Sequence, residues 1–121
     1  MNLNNKLIND FINVTSNAAA ACYKHIGKND KIIVDKAATD SMRDSLNTLD
    51  IDGTIVIGEG ELDEAPMLYI GEQLGTGKGP ALDIAVDPLE GTNFAAKNLP
   101  GALSVICISL KGNLFNAPET Y

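Results

Sequence analysis

The chain has 121 residues, 45% of them apolar, and sets 9 Lys and Arg against 16 Asp and Glu for a formal net charge of −7. That is enough apolar content for one ordinary domain with a buried core, and the acidic balance lacks the basic cluster that neutralising nucleic-acid phosphates requires. No apolar run reaches the roughly 18 residues of a membrane span, and the N-terminus opens on Asn and Lys rather than an apolar leader, so the expectation is a cytoplasmic protein with no nucleic-acid or membrane partner.

Leu7, Phe11, Val14, Ala18 and Cys22 recur at helical spacing and Gly27 offers a stop, which predicts an amphipathic helix from Leu3 to Ile26. His25 at its end reads as a structural residue meeting the helix dipole. After the polar Gly27 to Lys31 break, Ala38, Met42, Leu46 and Leu49 predict a second helix that ends before the turn Asp50-Ile51-Asp52-Gly53. The texture then becomes β-rich. Thr54 to Gly58, Leu82 to Val86 and Leu103 to Leu110 read as strands, and Lys111-Gly112-Asn113 as a hairpin turn into Leu114-Phe115. Helices followed by strands predict a layered α+β or mixed α/β fold, with two helices packed on a mixed sheet.

Gly75-Thr76-Gly77-Lys78-Gly79-Pro80 superficially resembles a phosphate loop, but it leads into a strand rather than a helix and reads as a flexible connection. Cys22 and Cys107 lie far apart in apolar segments and read as reduced core residues. Met42, Met67, Phe11 and Phe94 are likewise expected in the core.

The chemistry concentrates in Asp87-Pro88-Leu89-Glu90-Gly91-Thr92, placed just after a predicted strand, where open sheets collect ligands. Asp87 and Glu90 offer two hard oxygen ligands suited to Mg²⁺ or Mn²⁺. Gly91 lets a phosphate approach the backbone, and a helix or turn starting at Thr92 would turn free N–H groups toward that anion. The same residue types also make ordinary turns. A second acidic segment, Gly58-Glu59-Gly60-Glu61-Leu62-Asp63-Glu64, follows another strand. Glu61 and Glu64 read equally as a solvated loop, whereas Glu59 stands at a strand end as Asp87 does. Neighbouring strands would bring Glu59, Asp87 and Glu90 into one metal cluster, whose charge offsets their repulsion. Asp35, by spacing alone, reads as a helix N-cap.

Asp87-Pro88-Leu89-Glu90-Gly91-Thr92-Asn93-Phe94 resembles the signature of the lithium-sensitive, metal-dependent phosphatase superfamily that includes the inositol monophosphatases. The strings from Asp50 to Glu61, from Asp63 to Glu72 and Leu114-Phe115-Asn116-Ala117-Pro118 with Tyr121 resemble the class II fructose-1,6-bisphosphatases. This resemblance runs over nearly the whole chain and corresponds to the first third of such an enzyme, so residues 1–121 are expected to form a single, incomplete N-terminal domain. It implies metal ligation by Asp35, Glu59, Asp87 and Glu90 with two or more Mn²⁺ or Mg²⁺ ions, and substrate contacts from Glu90, Gly91, Thr92 and Tyr121. Asp63 is implied as a proton-handling or supporting carboxylate, Lys31 as a phosphate neutraliser, and Asp35 with Thr92 as the pair that orients and deprotonates water.

The implied activity is hydrolysis of the 1-phosphate of fructose 1,6-bisphosphate, a gluconeogenic step, by an enzyme that is homo-oligomeric at full length. The alternatives are a phosphatase acting on sedoheptulose 1,7-bisphosphate or another small phosphate ester, or a non-catalytic metal- or phosphate-binding piece. Where the family carries a small polar segment before Asp35, this chain has Ile32-Ile33-Val34.

Overall fold

The computed structural model describes residues 3–60 and 67–117. Asp63 and Tyr121, like Glu61 and Glu64, lie outside the described residues. Helix α1 spans Asn5–Tyr23, and the side chain of Asn4 caps it by accepting the Leu7 N–H at 2.8 Å. The predicted stripe is its buried face: Leu7, Phe11, Val14, Ala18 and Cys22. Helix α2 spans Lys31–Asn47. Asp30 caps it, accepting the N–H groups of Ile32 and Ile33, so the cap expected at Asp35 sits five residues earlier. Asp35 lies inside the helix, free to use its carboxylate elsewhere. Of the apolar run before it, only Val34 turns inward, while Ile32 is 75% and Ile33 46% exposed.

Among the described residues four strands follow: β1 Asp52–Ile57, β2 Gln73–Leu74, β3 Ala81–Glu90 and β4 Leu103–Leu110, with the five-residue helix α3 (Thr92–Ala96) between the last two. The sheet order is β2-β1-β3-β4, with β1 and β3 parallel and the outer pairs antiparallel. This is the expected mixed sheet, and α1 and α2 pack together and against it. Leu82, Ile84 and Val86 of β3 join Ile55 of β1 in one core with Leu7, Phe11, Val14, Met42 and Leu46 from the helices. Each large side chain so buried stabilises the fold by about 1.5–3 kcal/mol relative to exposure.

Several local expectations change. Strand β3 continues beyond Val86 through Asp87, Pro88 and Leu89 to Glu90, with its pairing to β4 shifted between Asp87 and Glu90. Proline is tolerated there because the ladder is already interrupted at the irregularity. Leu114 and Phe115 form no strand, since Asp83 instead holds the turn after β4 by accepting the Gly112 N–H at 2.8 Å and the Leu114 N–H at 3.3 Å. The glycine-rich connection is fastened rather than loose. Thr76 N–H reaches Leu49 O, Gly77 N–H reaches Ile51 O and the Thr76 hydroxyl reaches Asp50.

Met42 and Phe11 are core residues as expected, but Met67 and Phe94 are 36% and 46% exposed. Cys22 is buried, whereas Cys107 is exposed. It lies on edge strand β4, whose outward face, with Leu103 60% and Val105 43% exposed, is covered by nothing among the described residues.

Candidate functional site

Parallel pairing decides where the acidic residues fall. Ile57 of β1 lies opposite Ala85 of β3. Two residues further along each chain come Glu59 and Asp87, so both carboxylates arrive at the same end of adjacent strands. Glu90 follows at the end of β3, and Gly91 then turns the chain into α3. With φ +79 and a would-be Cβ at 3.0 Å from the Phe94 ring, Gly91 has a conformational reason to be glycine. A short helix does begin at Thr92. The Thr92 hydroxyl donates to the Leu89 carbonyl at 3.1 Å, which pins it beside the strand end.

Asp35 reaches this place from the helix layer. A cavity of about 280 Å³ is lined by Asp35, Glu59, Asp87, Glu90, Gly91 and Thr92, together with Met67 and Leu89. The structure thus brings together the four carboxylates and the glycine-threonine turn singled out in the sequence. Lys31, the exposed first residue of α2, lines an adjoining cavity of about 480 Å³ that shares Asp35, Met67 and Thr92 with the first.

The electrostatics of the pocket are those of carboxylates short of positive charge. Burial pushes Glu59 up to about 7, and Asp35 and then Asp87 add to the shift by repulsion. The Leu68 N–H and the Thr39 hydroxyl oppose it. Those two donors stand at 3.5 Å and 3.2 Å from Glu59 Oε2. Burial also raises Asp35. Among the described residues no three His, Cys, Asp or Glu side chains are grouped as a ready-made metal cage. The carboxylates line the cavity as separate hard oxygen donors, and this donor chemistry fits a divalent cation, which would supply the missing charge.

Two residues of the site were not legible as such in the sequence. Thr39, 2% exposed, sits one helical turn beyond Asp35 and holds Glu59. Arg43, a further turn along, forms a two-pronged ion pair with Glu72, Nε to Oε2 at 2.8 Å and Nη2 to Oε1 at 3.0 Å. The i, i+4 spacing of Lys31, Asp35, Thr39 and Arg43 was the available signal, since it aligns them along one side of α2.

Parallel strands that deliver carboxylates to one end, beside a glycine-threonine turn that opens a helix, make this a mixed α/β protein with an acidic strand-end pocket. The family model described as bacterial fructose-1,6-bisphosphatase, glpX-encoded, matches residues 5–121, and the chain belongs to that family. It is 56% identical over 112 residues to the fructose-1,6-bisphosphatase 1 class 2 of Escherichia coli K12, covering 93% of this chain and 33% of that protein. It is 50% identical over 115 residues to a D-fructose 1,6-bisphosphatase class 2/sedoheptulose 1,7-bisphosphatase of Synechococcus sp. CC9605, covering 95% of this chain and 34% of the relative. With the protein of the same description from Prochlorococcus marinus AS9601 it shares 49% identity over 119 residues, 98% of this chain and 36% of the relative. The chain spans about a third of the length of the curated relatives it matches.

Proposed function

We propose that this chain supplies the strand-end half of a divalent-cation-dependent sugar bisphosphatase site, which releases the 1-phosphate of fructose 1,6-bisphosphate as a gluconeogenic step. The observation that carries the reading is the meeting of Asp35, Glu59, Asp87 and Glu90 with Gly91 and Thr92 at one cavity, in a chain of the bisphosphatase family. Asp35, Glu59, Asp87 and Glu90 would hold Mn²⁺ or Mg²⁺. When bound, such ions supply positive charge that organises a phosphate and acidifies a water molecule.

The chain's own groups do the rest. Thr92 keeps oxygen lone pairs available while its proton is engaged by Leu89 O, so it accepts a hydrogen bond from the attacking water. Asp35, at the wall of the same cavity, is assigned the proton that the water sheds. The backbone at Gly91 and Thr92 receives the phosphate, and Lys31 balances its charge. Asp63 and Tyr121 are assigned supporting roles by the family resemblance, as a proton-handling or supporting carboxylate and a substrate contact. Phosphoryl transfer asks mainly for such positioning and charge neutralisation.

Sedoheptulose 1,7-bisphosphate is the second substrate reading, favoured by the dual description of the Synechococcus and Prochlorococcus relatives. We further propose a cytoplasmic, homo-oligomeric enzyme without nucleic-acid partners. Among the described residues no helix is long and apolar enough to cross a membrane. The test combines phosphate release from both bisphosphates and from inositol monophosphate, with Mn²⁺ or Mg²⁺, and calorimetric titration of the same ions. Release from a sugar bisphosphate supports the proposal. Metal uptake without release assigns the chain a binding role only, and the absence of both rejects the reading.

A further inference from the structure

The Arg43–Glu72 pair is unlike the other ion pairs among the described residues. Lys6–Asp10 and Lys36–Asp40 are i, i+4 pairs on helix surfaces, whereas Arg43 and Glu72 come from helix and sheet layers with side chains 22% and 10% exposed. Arg43 also donates through Nη2 to the Met67 carbonyl at 2.6 Å. Its guanidinium therefore fastens both ends of the stretch from Met67 to Glu72. Between those ends lies Leu68, whose carbonyl accepts the Glu59 N–H at 2.8 Å and whose N–H faces the Glu59 carboxylate at 3.5 Å. Met67 itself lines both cavities of the site.

We propose that Arg43 is a positioning residue for the pocket: by clamping Met67 and Glu72 it holds the Leu68 backbone against Glu59 and so fixes that carboxylate at the cavity wall. The inference rests on the cation reading given above. It uses the planar fork of arginine, since one group must serve a carboxylate and a carbonyl at once, and lysine offers a point charge in place of that geometry.

The experiment measures Mn²⁺ affinity by the electron paramagnetic resonance signal of free Mn²⁺, at a temperature where circular dichroism shows each protein folded. Arg43→Lys is expected to weaken Mn²⁺ binding about tenfold, the lower scale for losing a group that orients a metal ligand. The double variant Arg43→Met/Glu72→Met removes both charges, so its melting temperature recovers toward wild type, while its Mn²⁺ affinity stays low because the Met67 anchor is gone. Recovery of affinity together with melting temperature in the double variant would show a purely structural ion pair and overturn the inference. Unchanged affinity in Arg43→Lys does the same. If the unaltered chain takes up no Mn²⁺, the cation reading itself fails, and the positioning role falls with it.

Discussion

Glu59 and Asp87 stand equally far, two residues each, beyond the paired residues Ile57 and Ala85 of neighbouring parallel strands. Parallel pairing sends both chains out of the sheet in one direction, so two acidic residues 28 positions apart become partners at one edge. Asp35 from α2 and Glu90 from the end of β3 complete the set.

Removal of one of these charges tests the shared site. Asp87→Asn keeps the shape of the side chain and deletes a charge that the proposed cation site uses. In the full-length enzyme it should lower Mn²⁺-dependent phosphate release at least about a hundredfold, the scale on which one preorganised charge-stabilising group acts, and weaken Mn²⁺ uptake measured by calorimetry. Normal values for both would remove Asp87 from the site.

The pH dependence of stability without metal follows from Glu59. Its folded value of about 7 exceeds its ordinary 4.5, so between those limits the folded chain binds a proton that the unfolded chain releases. Stability from this group is therefore greatest below the lower value and falls as pH rises through the window. Asp35, raised by burial, contributes with the same sign. In EDTA the melting temperature should decline from pH 5 to pH 8, and Glu59→Gln should flatten that decline. Added Mn²⁺ should raise the melting temperature more at pH 8 than at pH 5, because cations compete with protons for the carboxylates.

Gly58 gives a steric test of the same corner. A Cβ there would sit 2.5 Å from the Leu68 carbonyl oxygen and 2.9 Å from Ile55 Cγ2. Gly58→Ala must displace the backbone that braces Glu59. The expected cost is about 1–3 kcal/mol, the range for overpacking, read by urea unfolding and accompanied by weaker Mn²⁺ uptake. An alanine variant of wild-type stability would contradict this packing.

Asp83 shares β3 with Asp87 but holds a turn and does not line the cavity. It accepts two backbone N–H groups of the turn after β4, away from the pocket. Asp83→Ala should cost about 1.5–3 kcal/mol, the scale for hydrogen bonds to a charged group, with Mn²⁺ affinity unchanged at temperatures where the variant is folded.

The two thiols should differ sharply in reactivity. Exposed Cys107 should react with an aromatic disulfide reagent in the native protein. Cys22, buried with its pKa raised first by burial and further by Asp35, should react only after unfolding. Two thiols of equal native reactivity would argue against the packing of α1.

Local periodicity carried much of this protein. The stripe from Leu7 to Cys22, the run Leu103 to Leu110 and the acidic strings after two strands could all be read directly, because helix and strand repeats are properties of neighbouring residues. The capping of α2 by Asp30, the passage of β3 through Asp87 to Glu90 and the exposure of Phe94, Met67 and Cys107 could not. Each depends on which distant segment lies opposite. The same is true of Thr39 and Arg43, which joined the site only when α2 packed on the sheet and brought them to Glu59 and Glu72. Sequence thus determined which residues could bear the chemistry; strand register and helix packing decided which of them meet, because the energy that assembles the pocket comes from contacts between parts of the chain remote from one another.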